Sequence, residues 1–487
     1  MLTLTNRLLT EGDTQTPSVT TGQTQPATTG PSSPKGSSAE LYTSSDRING
    51  QSTSSNSSTE SYSPSDGVTE STQSHRCSTL SPTSFEASKE IPGKFIFTFL
   101  AVNCTDPTTK IFIGTKFSDV GASGNISFPL IDTPNITFSL NPGSGETFDV
   151  PSFAVPSEKA LNQKVNTSVV IASDERVVVY GHQRCRGSGN YRATAFRVRR
   201  TEALGTEYWV ITHQSKGTSQ VGVVATRNNT NICINGVFIN KTTTLHKYET
   251  FYFGGLYDLT GTYIAADKPI FVIAGNSADK SPYPDTTYKD SFNKCLPPVK
   301  DWGKHFTLVP FPPQSQPFTA KILSSHDNCT LEYVYGTGSR LSVSLSKGEV
   351  KVLNSSTVLN IHSSEGILLA QFSKDRREQT IYRNPSMVLT PPLGDAERNE
   401  FIFPVFRLSA DNRDERSYIT IWLPPASNIL LDNKNVSWNE IGEGTNGYRI
   451  VQANLSSSGF HIIHSNKNIT AVVNGIGHHK YYSYALQ

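Results

Sequence analysis

The stretch Gly261–Gly275, GTYIAADKPIFVIAG, decides how the whole chain reads. It starts as a strand, passes a tight polar turn at Asp267-Lys268-Pro269, and continues as a fully buried apolar strand. Three further stretches repeat the phrase: Val170–Gly181 (VIASDERVVVYG), Ile361–Ser373 (IHSSEGILLAQFS) and Ile463–Gly475 (IHSNKNITAVVNG). Aligning Asp174, Asp267, Ser364 and Asn466 gives intervals of 93, 97 and 102 residues. A second landmark keeps step. Arg199-Arg200 with Gly205 and Tyr208, Pro297-Pro298 with Gly303 and Phe306, and Pro391-Pro392 with Phe401 each open a new unit. Two markers with one period make an internal repeat.

Working outward, every segment between the markers is short, β-branched or aromatic, and bounded by Gly, Pro, Asn or Asp. Examples are Lys110–Gly114, Gln220–Thr226, Thr319–Leu323 and Tyr418–Leu423. No sustained 3.6-residue period appears, so helix content is expected to be low. Six to eight strands in roughly 95 residues suit a two-sheet unit. The expectation is an all-β chain of four tandem β-sandwich-like repeats, at about 93–200, 201–298, 299–392 and 393–487. The rival is a β-propeller-like arrangement in which each repeat supplies two blades.

Residues 1 to about 92 are rich in Ser, Thr, Gly, Pro and Gln and nearly free of aromatics. Such a segment buries too little apolar area to offset its ordering entropy and reads as a disordered stalk, with the composition of an O-glycosylated one. The net charge of +2, with 17% charged residues, supplies no general field for nucleic acid. No run of 18 apolar residues occurs, so no transmembrane segment is expected. The first ten residues lack the apolar core of a signal peptide, which reads as a fragment or a start lost upstream of Met1.

Other features point outside the cell. Sequons stand at Asn56, Asn103, Asn125, Asn135, Asn166, Asn228, Asn240, Asn328, Asn354, Asn435, Asn454 and Asn468, roughly twice the number that composition alone would produce. Six cysteines suit an oxidising compartment. Five of them, Cys104, Cys185, Cys233, Cys295 and Cys329, fall in the repeats as disulfide candidates, leaving one free or bonded to Cys77 or another chain. No pair has zinc-ligand spacing, so no metal or other cofactor is expected.

Several phrases together resemble one family. They are Leu204-Gly-Thr-Glu-Tyr208, Asp258-Leu-Thr-Gly-Thr262, Asp267-Lys-Pro-Ile270, Leu296-Pro-Pro-Val299 with Trp302-Gly303, and Met387-Val-Leu-Thr-Pro-Pro392. This ordered series is similar to the IgG-Fc-binding protein N-terminal domain family, over about residues 93–487. The resemblance implies an extracellular, non-enzymatic module of mucus and surface proteins, with an extracellular protein such as immunoglobulin Fc, or a mucin-type glycan, as partner. The family often places a cysteine after the strand equivalent to Ile270–Ala274, and a Cys-Asp-His before the Leu-Pro-Pro phrase. Here Asn276–Asp279 holds no cysteine and Cys295 abuts Leu296, so the family's disulfide pattern does not carry over.

Candidate sites are few. Arg184, Arg186, Arg192, Arg197, Arg199 and Arg200 cluster at the junction of the first two repeats. Three readings compete for them: a solvated edge strand, a basic cleavage site at Arg197–Arg200, or an anion site, because guanidinium forks match sulfate and carboxylate. HExxH, P-loop, Rossmann and GxSxG signatures are missing, and Gly187-Ser188-Gly189 and Gly336–Ser339 read as turns. His478-His479 reads as the approach to a terminal strand rather than a metal site, and Asp411, Asp414 and Glu415 as a solvated turn. The expected function is multivalent recognition by repeat loops. A mucus or matrix scaffold and a carbohydrate-active enzyme are the alternatives.

Overall fold

The computed structural model describes Cys77 and residues 93–486, apart from short segments at 105, 117–119, 186–191, 214–216, 285–287, 314–315, 379–380, 395–397, 409–414 and 456–457. The stalk expected over 1–92 (Cys77 excepted), Asn56, Arg186, Gly187–Gly189, Asp411 and Asp414 lie outside the described residues. The described chain is all-β, and helix is confined to three-residue 3₁₀ turns such as Thr201–Ala203 and Val299–Asp301.

The second repeat shows the unit. Its organising stretch forms one strand, Tyr263–Asn276, that belongs to two half-sheets. The first half pairs with Gly205–Trp209 and Thr230–Gly236, and the second half pairs with Ser219–Ala225 and Lys294–Cys295. The strand changes sheets at Lys268-Pro269, where Pro269 has no N–H to leave unpaired. The two strands and turn read from sequence are thus a single bent strand here, and again at Leu359–Ser373. In the first and fourth repeats they are separate, as Val169–Ser173 with Val178–Cys185 and as Gly459–Ser465 with Thr470–Gly477.

One hydrogen bond explains the marker residue at the bend. Asp174, Asp267, Ser364 and Asn466 each accept a backbone N–H from the neighbouring strand or its approach: Ser123 (2.7 Å), Asn231 (2.9 Å), Thr330 (3.0 Å) and Asn428 (2.8 Å). The ladder opens where the strand leaves the sheet, and a polar side chain takes over as acceptor.

Apolar runs in the second half-strand have a packing cause. Ile270, Val272 and Ala274 fill the core of their own repeat, while Phe271 and Ile273 point the other way, into the core of the first repeat. Both faces of this half-sheet are therefore dry, and such strands read as continuous hydrophobic runs. The pattern recurs around the molecule. Leu368 and Phe372 of the third repeat enter the second core, Trp422 and Tyr481 of the fourth enter the third, and Tyr180 and Ala195 of the first enter the fourth.

The packing therefore closes on itself. Each seam carries an aromatic pair: Phe97–Phe271, Phe292–Phe372, Phe311–Tyr481 and, where the last repeat meets the first, Tyr180–Tyr484, with centroids 6.2, 5.7, 6.0 and 5.1 Å apart. The units are sandwich-like, as the sequence suggests, but they are set in a ring around an axis rather than strung as independent beads.

Candidate functional site

The final strands of the four repeats, Arg192–Arg197, Lys294–Cys295, Met387–Leu389 and Lys480–Leu486, gather at the centre of the ring. Their leading ends are tied together by Asp290, which is fully buried. Its carboxylate accepts the amides of Ala193 (2.7 Å), Ser291 (2.8 Å) and Tyr481 (3.1 Å), joining the first, second and fourth repeats. Asn384 of the third repeat donates to the carbonyls of Lys289 (2.7 Å) and His479 (2.8 Å). Burial pushes the Asp290 carboxyl well above its ordinary range, against the pull of these amides and of Arg192. Further along, Lys294 Nζ donates to Ala195 O at 2.7 Å, and burial pulls its amine down to about 7.

The trailing ends of the same strands line a cavity of about 900 Å³. The second sequence landmark converges there, since Arg199, Arg200, Pro297 and Pro392 form part of its wall. The first repeat supplies Lys116, Arg176 and the three arginines Arg197, Arg199 and Arg200. The second adds Lys294, the third Lys300 and the fourth Arg398. Among the described lining residues Asp301 is the one acid. A chain with 43 basic and 41 acidic residues has thus placed eight bases and one acid around a single void.

Part of that charge is accounted for locally. Arg199 pairs with Asp301 at 2.7 Å, Arg200 with Glu202 at 3.0 Å, and Lys300 donates to Leu204 O at 3.0 Å. Arg197 is different. Its Nη1 is sealed from solvent and has no hydrogen-bond partner among the described residues. Burial pulls its guanidinium down to about 10; the Tyr180 phenol opposes this, and Arg398, Arg199 and Arg200 add repulsion. The group still holds its proton at neutral pH, so a buried cation faces three others. Cys295, also in the wall, is a thiol pushed up to about 11 by burial, and is therefore protonated and unreactive.

The arginine cluster of the sequence is split by the fold. Arg197, Arg199 and Arg200 meet at the cavity. Arg184 instead crosses the seam to the fourth repeat and donates to Arg407 O at 2.8 Å. Arg192 sits at the leading end, near Asp290. The backbone between the cavity arginines is engaged, since Val198 is buried and its amide donates to Val179 O at 2.9 Å. Lys294, Lys300 and Arg398 were missed by sequence reasoning, because each stands alone in its own repeat.

Other predicted positions are dispersed. Of the eleven sequon asparagines from Asn103 to Asn468, Asn125 is half-buried and the rest are exposed. Disulfides join Cys77 to Cys233 and Cys104 to Cys185. The two remaining candidates, Cys295 and Cys329, are both free. They pack with different cores, Cys295 against the first and Cys329 within the third, so neither meets the other. Gly336 takes the left-handed backbone (φ 53°) expected of a turn glycine. His478-His479 turns into the strand Lys480–Leu486, as the sequence suggests. Among the described residues no helix is long and apolar enough to cross a membrane.

A family described as IgGFc binding protein matches residues 193–475, more than half of the chain. The human IgGFc-binding protein is 26% identical over 213 residues, which is 40% of this chain and 4% of that protein, so the chain spans a small fraction of this relative. Among solved structures, a marsupial T cell receptor overlaps 58% of this chain and 98% of its own at 8% identity, with a TM-score of 0.08 that carries no weight. The family match begins inside the strand Arg192–Arg197, yet the first repeat before it has the same strand plan. By this match the chain belongs to the IgGFc-binding protein family.

Proposed function

We propose that this chain is an extracellular, non-enzymatic recognition module that binds partners bearing negative charge. The observation that carries this reading is the cationic cavity at the end of the axial strands. Gathering bases from four repeats around one void costs stability through desolvation and like-charge repulsion. Packing alone has no use for such an arrangement, whereas an anionic partner would relieve it. Family membership supports the extracellular setting, as do the exposed sequons, which we take to carry N-linked glycans. The name of the human relative makes immunoglobulin Fc the first protein partner to test, and mucin-type glycans are the second class. Because neighbouring repeats share their cores, the four loop sets present their contacts in fixed relative positions, and avidity needs no flexible linkers.

The test is direct. Full-length chain produced through a secretory pathway is titrated against IgG Fc and against mucin O-glycans, both by surface binding and calorimetry. Saturable binding of either, lost on denaturation, is the expected result. Silence on both would overturn the recognition reading and favour a scaffold.

A further inference from the structure

We infer that the axial cavity is a single binding site for a compact oligosaccharide bearing sulfate or carboxylate groups, one per chain. This deepens the recognition reading above and rests on it. The cavity volume, about 900 Å³, lies within the range of small-ligand sites and suits a di- to tetrasaccharide rather than a protein side chain. Its chemistry is one-sided. Arg197, Arg199, Arg200 and Arg398 present planar forks that take sulfate or carboxylate oxygens two at a time. Asp301 and Glu202 already hold one arginine each. Arg197 is buried in the wall and faces three further cations, and an anion in the cavity would offset that repulsion.

Position adds an independent argument. The second and third repeats end in Pro-Pro, at Pro297-Pro298 and Pro391-Pro392, and Pro297 and Pro392 reach the wall. The first repeat has Arg199-Arg200 at the matching step. Three repeats thus frame the void with short rigid or cationic groups while the fourth contributes Arg398 and the apolar floor of Tyr484 and Leu486. A pyranose ring offers one apolar face and a polar rim, and this wall offers the complement. Because strands of all four repeats form the site, an occupant would clip the ring together and raise its melting temperature.

The experiment uses the full-length chain produced through a secretory pathway and four probes, three of them tetrasaccharides. They are a heparin tetrasaccharide, a hyaluronan tetrasaccharide carrying carboxylate without sulfate, neutral chitotetraose, and inositol hexakisphosphate. Calorimetry should give one heparin site per chain and a rise in melting temperature of several degrees. The hyaluronan arm separates carboxylate from sulfate recognition, and chitotetraose should be silent. The double variant Arg197→Gln/Arg398→Gln should lose at least tenfold in affinity for the acidic tetrasaccharide. The single variant Arg197→Gln should also melt no lower than the parent without ligand, because it removes a buried cation that faces three others, whereas a packing role would lower that melting point. Should the double variant fail to fold, Arg200→Gln at the wall tests the same loss on a milder background. Equal binding of chitotetraose, tighter binding of the inositol phosphate, several sites per chain, or unchanged affinity in the variants would each overturn the assignment. Fc binding that survives in the double variant would leave the recognition reading standing while removing this cavity from it.

Discussion

The two ends of the axial strands treat charge in opposite ways. At the leading end a single carboxylate, Asp290, is buried with three backbone amides on its two oxygens, and the chain ties three repeats together through it. At the trailing end eight bases surround a void, and one of them keeps an unpartnered nitrogen sealed in the wall. Each end keeps a sealed arginine nitrogen without a partner among the described residues, but Arg192 has the Asp290 carboxyl near it while Arg197 faces three other cations. The contrast separates a joint from a candidate site: at one end a buried cation has an acid of the fold near it, and at the other it is surrounded by like charges.

The largest expected effect comes from breaking the joint. Asp290→Ala leaves three buried amides without an acceptor, at about 1–3 kcal/mol each, so a loss of about 4 kcal/mol or more is expected in urea unfolding. Because Ala193 and Tyr481 lie in the first and fourth repeats, the loss should appear as loosening of the ring and not of one repeat. Hydrogen exchange should quicken along both Arg192–Arg197 and Lys480–Leu486. Exchange that quickens in the second repeat alone would show that Asp290 serves only its own unit.

A middle-sized effect tests whether buried cations are tolerated elsewhere. His182 lies in the seam between the first and fourth repeats, stacked on Phe406 at 4.3 Å with Tyr482 edge-on at 5.6 Å. Burial holds its pKa well below 6.5, and Arg184, Lys110 and Lys480 add to the shift. The folded imidazole stays neutral while the unfolded one gains a proton below about 6.5, so the unfolded state binds more protons and stability falls as pH falls. Each pH unit below 6.5 should cost up to about 1.4 kcal/mol until the folded group titrates. Between pH 7.5 and 5.0 this residue should therefore account for part of the lost stability. His182→Phe should remove that part of the acid sensitivity, measured by urea midpoints at the two pH values. An unchanged loss would mean that the seam accepts a cation as the cavity does, and the contrast between joint and site would weaken.

What was legible in the sequence follows the range of the interactions. The bend residues Asp174, Asp267, Ser364 and Asn466 stood out because each must be a hydrogen-bond acceptor within a fixed apolar frame. The apolar runs after them announced full burial, though not what covers the second face. Closure of the ring left no local mark: Tyr180 and Ile402 meet across 222 residues with ordinary apolar neighbours. Asp290 reads as a turn residue between Lys289 and Ser291, because its partners Ala193 and Tyr481 are 97 and 191 residues away. The arginines of the cavity were half visible. Those on one strand end formed a cluster, while Lys294, Lys300 and Arg398 looked like single surface charges until the axis brought them together.

The smallest effect separates local from axial polarity. Asp267 serves the amide and side chain of Asn231, each at 2.9 Å, and its equivalent Ser364 accepts one amide at 3.0 Å. Hydrogen bonds to a charged acceptor contribute about 1.5–3 kcal/mol, and neutral ones about 0.5–1.5 kcal/mol. Asp267→Ala should therefore cost about 2 kcal/mol and Ser364→Ala about 1 kcal/mol in urea unfolding. Neither residue reaches the axis, so the acidic tetrasaccharide titration should be unchanged in both. If Ser364→Ala proved as costly as Asp267→Ala, the acceptor would matter for holding the bend itself and not for the one amide it satisfies. The marker would then be a hinge of the repeat, tied to how the half-sheets are set against each other, and changes at the bend should also reach the cavity.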